Sequence, residues 1–149
     1  ADIVKLLLES GANPTIKDKK GDTPLMKAAS KGNVEIMQLL LDAKVNPSEV
    51  RISGIDGNNA LMIAAEEGQV EAMKLLIKYK ADINAKNQNG DTALAIAASL
   101  GKLKAVKFLI ESGANVNSIS FLGITPLAHA VDGGYTDIME ELQKAGAKE

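Results

Sequence analysis

Apolar residues recur at helical spacing in four separated segments of this chain. In the first of them, Ile36, Leu39 and Leu40 are three and four positions apart, so they share one face of a helix. The same spacing returns at Ala72, Leu75 and Leu76. The pattern therefore predicts four amphipathic helices, over Val34–Asp42, Val70–Tyr79, Leu103–Ser112 and Thr136–Ala145.

Glycine residues show that these helices belong to a repeated unit. Gly57, Gly90 and Gly123 are 33 residues apart, and Gly21 lies 36 residues before Gly57. Two further series have the same 33- and 36-residue steps: Gly32, Gly68, Gly101 and Gly134, and Gly11, Lys44, Lys80, Gly113 and Gly146. All three series agree on one insertion of three residues between Lys44 and Gly57. Lys44 and Lys80 replace glycine in the third series, and we expect them to adopt positive φ.

Each unit also begins with a short helix. A residue that can cap a helix stands two positions after the first glycine of every unit, namely Thr23, Asn59, Thr92 and Thr125. Pro24 and Pro126 follow two of these caps, and proline is favoured at the first helical position because no N–H is needed there. The first helix, such as Leu25–Lys31, is expected to end at a glycine in the left-handed conformation.

These elements resemble the ankyrin repeat family. The resemblance rests on Thr23-Pro24-Leu25 with Ala28-Ala29, on Leu39-Leu40-Leu41, and on Gly113-Ala114-Asn115-Val116-Asn117. It implies an all-α fold, an ankyrin-repeat solenoid of stacked helix–turn–helix units joined by β-hairpin-like loops. The family usually has His where this chain has Met26, Met62, Ala95 and Ala128, so the side-chain network that His supports is expected to be absent.

The resemblance divides one domain, residues 1–149, into a half-repeat and four full repeats with nine helices. These are residues 1–16, then 17–49, 50–85 with the insertion near 48–56, 86–118, and a C-terminal capping repeat over 119–149. Glu141 and Gln143 replace apolar residues of the other repeats, and a polar outer face is typical of a solenoid end. The chain begins inside a second helix, with Leu6 and Leu8, so we expect further residues upstream.

Composition excludes several classes of function. The net charge is −2, and 16 of the 17 basic residues are Lys, Arg51 being the exception. A nucleic-acid-binding protein needs a concentrated basic surface and favours Arg, so no nucleic acid is expected as partner. No apolar run reaches the ~20 residues that span a bilayer, so no membrane insertion is expected. Cysteine is absent, which excludes disulfides and thiolate metal sites.

No catalytic, cofactor or metal site is predicted. His129 is the only His, and a zinc site would then depend on carboxylates that lack the necessary spacing. No phosphate-binding glycine motif occurs. Glu66-Glu67 and Glu140-Glu141 are adjacent on helices and point in different directions, so they are interpreted as solvated faces and not as acid/base pairs.

The ankyrin resemblance implies a binding face formed by the loop tips and the ends of the first helices. Its N-terminal end is basic, its middle acidic to neutral and its C-terminal end apolar. The predicted partner-binding residues are Lys19, Lys20, Lys31, Ile55, Asn58, Glu66, Asn89, Asp91, Leu100, Phe121, Leu122, Ile124 and Asp132. A protein segment fits such a face better than a small ligand. The alternative for the lysines is a purely solubilising role.

Three apolar residues at the fourth loop tip, Phe121, Leu122 and Ile124, form what we call the apolar finger patch. Each of the other tips carries a charged residue at the matching positions, and this one carries none. The patch is predicted to be a binding hot spot. The alternative is that Phe121 folds over Ile119 and the first helix of the last repeat and seals the C-terminal end.

The insertion supplies a second candidate for binding. Val50, Ile52 and Ile55 lie in the lengthened loop, and Val50-Arg51-Ile52-Ser53 alternates between apolar and polar as a short strand does. The loop is predicted either to reach a partner or to tuck its apolar residues against the neighbouring loop.

The leading hypothesis for function is a protein–protein interaction module, monomeric in isolation, whose partner is another protein of unknown identity. The alternatives are the regulatory or targeting part of a larger enzyme and an inhibitor that occludes a partner enzyme. A cytoplasmic location is favoured, with secreted and periplasmic locations left open because cysteine is absent and the N-terminus looks truncated.

Overall fold

The computed structural model describes residues 1–50 and 56–148, and these contain nine α-helices and no strand longer than an isolated bridge. The all-α prediction is confirmed. The helices are α1 (Asp2–Glu9), α2 (Pro24–Ser30), α3 (Val34–Asp42), α4 (Ala60–Glu67), α5 (Val70–Lys78), α6 (Ala93–Ser99), α7 (Leu103–Glu111), α8 (Pro126–Gly133) and α9 (Thr136–Lys144).

The predicted caps begin the first helix of every full repeat. Each cap side chain accepts a hydrogen bond from the backbone N–H three residues later, which would otherwise lack a partner at the helix start. The bonds run to Thr23 from Met26, to Asn59 from Met62, to Thr92 from Ala95 and to Thr125 from Ala128. The glycine after each of these helices has φ between 64° and 73°, as predicted.

The helices pack in two rows. The inner row consists of α2, α4, α6 and α8, each packed on the next, and the outer row consists of α1, α3, α5, α7 and α9. Contacts between successive inner helices are more extensive than those between successive outer helices. The array therefore curves toward the inner row, which lines its concave face.

Small residues explain why the inner helices lie so close together. Ala29, Ala64, Ala65, Ala97 and Ala98 are completely buried between neighbouring repeats. Alanine lets two helix backbones approach closely, whereas the outer helices are separated by larger side chains. The outer row contributes large fully buried side chains to the core, namely Met37, Leu40, Met73, Leu76, Leu109, Ile138 and Leu142.

Lys44 and Lys80 have positive φ, 61° and 67° respectively, as the glycine series predicts. They follow α3 and α5, where Gly11, Gly113 and Gly146 occupy the matching positions of other repeats with φ between 81° and 89°. A residue with a Cβ is strained in this conformation.

The lengthened loop is described only at its ends. Val50 and Asn59 form an isolated antiparallel bridge, which agrees with a hairpin-like connection. Val50 is 44% exposed. The predicted strand residues Arg51, Ile52 and Ser53, and the predicted binding residue Ile55, lie outside the described residues.

Candidate functional site

A finger is the segment that leads into an inner helix, so its tip lies beside the start of that helix. The described tips comprise residues 19–22, 56–58, 88–91 and 121–124, and they belong to the first to fourth fingers. One side chain holds the turn in each of three fingers by accepting hydrogen bonds from the backbone N–H groups two and four residues later. That side chain is Asp18, Asn87 or Ser120, with bond lengths of 2.8–3.3 Å.

Asp18 differs from Asn87 and Ser120 because it carries a charge. Its carboxylate lies 2.6 Å from the ammonium of Lys27 on α2. The hydrogen bond from Lys27, supported by those from the backbone of Asp22 and Lys20, lowers the pKa of Asp18 to about 2. The first finger is thus tied electrostatically to the inner row.

This low pKa predicts an acid-dependent loss of stability. A carboxyl group with a depressed folded-state pKa stabilises the fold above its unfolded pKa, here near 3.8, and loses that contribution as pH falls toward 2. In Asp18→Asn the amide still accepts the turn bonds, as Asn87 does, but the ion pair is lost. Urea unfolding at pH 7, 4, 3 and 2 should show the variant less stable at pH 7, with a difference that shrinks below pH 4 and is smallest at pH 2. A difference that does not change with pH would contradict this prediction.

Backbone hydrogen bonds join successive fingers in a fixed register. Gln88 N–H donates to the carbonyl of Asp56, and Phe121 N–H donates to the carbonyl of Asn89, both at 2.9 Å. Each bond spans 32 residues, so the third and the fourth finger are each held against the preceding finger. The tips of the second, third and fourth fingers consequently form a continuous edge beside the inner row.

A buried amide pair reinforces the contact between the second and third fingers. Asn87 Nδ2 donates to Asn58 Oδ1 at 2.8 Å, and Asn58 is only 5% exposed. Asn58 therefore belongs to the packing between fingers and not to the exposed binding surface, contrary to the prediction. No local sequence pattern indicates this burial, because the pairing depends on the register between two neighbouring loops.

The apolar finger patch is open to solvent at two of its three positions. Phe121 is 72% and Leu122 is 83% exposed, whereas Ile124 is half-buried. Ile119, 51% exposed, lies two residues before Phe121 and was not among the predicted binding residues. The backbone beneath the patch is fixed, because Phe121 N–H bonds to Asn89 and Leu122 N–H bonds to Ser120 Oγ.

Phe121 does not bury itself in an end seal. Its ring lies against Gly90 of the third finger: a Cβ at Gly90 would come within 2.9 Å of the ring and 2.6 Å of the Phe121 nitrogen. With most of the side chain still exposed, this contact fixes the direction of the ring without removing it from solvent.

The basic end of the concave face is a groove of about 390 Å³ between the first two full repeats. Lys20 and Lys31 line it on one side, Glu66 and Glu67 on the other, and both lysines are exposed. Lys19 is also exposed at the first finger tip. The N-terminal end of the concave face, which was predicted to be basic, is thus a mixed surface of lysines facing glutamates.

Asp91, the last residue of the third finger tip, lies near His129 on α8. Asp91 Oδ1 is buried, accepts no hydrogen bond from the described residues, and lies 3.6 Å from His129 Nε2. The other predicted residues of this region, Asn89, Leu100 and Asp132, are exposed. Leu100 is 46% exposed at the end of α6.

A shallow depression of about 260 Å³ lies on α8, lined by Thr125, Leu127, Ala128, Val131 and Asp132. Val131 is 53% exposed, although Ala29, Ala65 and Ala98 are completely buried at the same position of the other repeats. The surface of α9 in the last repeat is polar, because Glu141 pairs there with Lys107 and Lys144. The exposed Val131 gives α8 of the same repeat an apolar surface. Aligning Val131 with the buried alanines would have revealed this surface from the sequence.

Within residues 1–50 and 56–148, no three or more His, Cys, Asp or Glu side chains are grouped so that they could hold a metal ion. Across the same residues, no helix combines the length and the apolar character that crossing a membrane requires.

Comparison with known proteins decides the family. The family profile described as "Ankyrin repeats (3 copies)" matches residues 1–87 and 81–149. The chain belongs to the ankyrin repeat family. Ankyrin repeats are generally protein-interaction modules.

Individual relatives match shorter segments of this ankyrin chain. The "Putative ankyrin repeat protein YahD" of Escherichia coli K12 is 56% identical over 41 residues, which are 28% of this chain and 20% of that protein. The "Ankyrin repeat domain-containing protein 46" of Rattus norvegicus is 58% identical over 36 residues, 24% of this chain and 16% of that protein. The Mus musculus protein of that name matches equally. The chain thus spans about a fifth or less of these relatives.

Proposed function

We propose that this ankyrin array binds a partner protein through its concave face and finger tips, without catalysing a reaction, and that the apolar finger patch is the centre of the interface. The fold supports the use of this face, because the inner helices pack on one another in a single row and the fingers lead into them. The proposal extends over the third and fourth fingers and α8.

The exposure of Phe121 and Leu122 is the observation that carries the proposal. Two large apolar side chains that adjoin in water form the kind of patch that marks contact sites. Their backbone is already hydrogen-bonded to the third finger and to Ser120, so binding orders little of the chain. Exposed polar and acidic residues, Asn89 and Asp132, provide the rim that such an interface needs.

The test is the variant Phe121→Ala/Leu122→Ala/Ile124→Ala. Partner affinity should fall at least about 30-fold, since truncating a hot spot costs about 2 kcal/mol or more. The variant Leu122→Ala alone should keep the parental melting temperature, because that side chain is 83% exposed. Calorimetric binding and thermal unfolding measure the two quantities on the same samples.

A matched control separates loss of a contact from loss of apolar surface in general. Ile16 is 64% exposed and lies at the other end of the array, so Ile16→Ala should leave affinity unchanged. If the triple variant melts clearly lower while binding as the parent does, the patch is structural and the proposal fails.

A further inference from the structure

Lys and Arg are absent from the concave side of the last two repeats, where His129 on α8 is the one residue that can carry a positive charge. Residues 87–143 contain three basic residues, Lys102, Lys104 and Lys107, and these lie at the start of α7 and within it, in the outer row. The tips of the third and fourth fingers, α6 and α8 contain no Lys or Arg. Lys86, at the base of the third finger, has its ammonium 2.7 Å from the carbonyl of Ile119.

The same surface carries acidic groups that pair with no Lys or Arg of the described residues. Asp132 is exposed and forms no ion pair with any described residue, and it lines the apolar depression beside Val131. Asp91 has a buried oxygen with no hydrogen-bond donor within the described ranges, His129 being 3.6 Å away. Glu67, exposed on α4, extends the acidic edge toward the middle of the array.

Open hydrogen-bond acceptors accompany this negative charge. Asp56 and Asn89 each use their carbonyl to accept a bond from the following finger. Leu122 occupies the matching position of the fourth finger, and among the described residues no donor reaches its carbonyl. A ligand at this edge would therefore encounter exposed apolar side chains beside carboxylates and a free backbone acceptor. The carboxylates and the carbonyl favour a partner rich in hydrogen-bond donors.

We propose that the partner of this surface is a protein segment that combines apolar side chains with Lys or Arg. This inference rests on the proposed function and specifies its ligand. The apolar side chains cover Phe121, Leu122 and Val131, and the cations lie against the exposed Asp132, with the mostly buried Asp91 adding negative charge at longer range. Opposite charges on the two sides orient the segment and raise its rate of association.

The experiment is a selection from a library of random 16-residue peptides on the immobilised chain. Peptides retained equally by Phe121→Ser/Leu122→Ser are discarded. The remaining peptides should be apolar with net positive charge. Their affinity for the parent chain should fall as salt rises, and their affinity for Asp91→Asn/Asp132→Asn should be about tenfold lower than for the parent chain. Glu35→Gln removes an exposed carboxylate from the outer row and serves as the matched control, with affinity unchanged.

Other outcomes identify which statement fails. Selected peptides that need the patch but are neutral or acidic would overturn the charge inference and leave the proposed function standing. If no selected peptide depends on Phe121 and Leu122, the proposed function itself fails. If sedimentation shows that the chain dimerises, and Phe121→Ser/Leu122→Ser abolishes the dimer, the occupant is a second copy and the inference is wrong.

Discussion

Replacing Gly90 by alanine should destabilise the fold by about 2–4 kcal/mol. Gly90 has φ of +81°, where a residue with a Cβ costs about 1 kcal/mol relative to glycine. The new Cβ would also lie 2.6 Å from the backbone nitrogen of Phe121, which cannot rotate away as a side chain does. Relieving that overlap requires the third and fourth fingers to separate, at a cost of about 1–3 kcal/mol that is typical of overpacking. The free energy of unfolding, measured in urea, gives the sum of the conformational cost and the cost of the overlap.

Gly123 provides the matched control for Gly90. It has nearly the same φ, +79°, and a Cβ there meets no atom within 4 Å. Gly123→Ala should therefore cost only the conformational part, about 1 kcal/mol. The difference between the two variants isolates the contact between fingers. Equal destabilisation by both substitutions would show that the fingers are not held together as tightly as the register of hydrogen bonds indicates.

The opposite exchange, Lys44→Gly/Lys80→Gly, should stabilise the fold by about 2 kcal/mol. Each lysine has positive φ, and relieving that conformation is worth about 1 kcal/mol per site. For a chain of this size, each kcal/mol raises the melting temperature by about 2–4 °C. Thermal unfolding of the single and double variants should give two separate increments that add.

Two controls show whether conformation or charge is responsible. Lys44→Ala removes the charge but retains a Cβ at positive φ, so its melting temperature should stay near that of the parent. Gly113→Ala introduces a Cβ at φ of +87°, where no atom lies within 4 Å. It should lower the free energy of unfolding by as much as Lys44→Gly raises it. If Lys44→Ala stabilises as much as Lys44→Gly, the gain comes from charge and the conformational explanation is wrong.

The sequence predicted the helices well because their determinants are local. Capping by Thr23 or Asn59, the glycine that follows each first helix and the apolar stripe of α3 each depend on residues within a few positions of one another. The periodic spacing then ordered these local units along the array. The observed ends of α5, α7 and α9 fall one residue earlier than predicted, since Tyr79, Ser112 and Ala145 serve as C-caps.

Features of the binding surface that depend on neighbouring fingers were harder to predict. Asn58 looked like an exposed tip residue, but the register places Asn87 against it and buries both. The position of the Phe121 ring beside Gly90 likewise depends on two segments 31 residues apart. The exposure of Leu122 was predicted, because this residue stands at a loop tip.

The two-row packing also determines how the array opens. Extensive helix contacts link only helices of the same or the adjacent repeat, so unfolding can start at either end and advance one layer at a time. α4 buries six of its eight residues and α1 buries none, so backbone amides in the centre should exchange with solvent most slowly. α8 has only one inner neighbour, α6, and belongs to the layer that frays. A partner seated on the fourth finger would therefore slow amide exchange throughout α8 and α9, well beyond the residues that it touches.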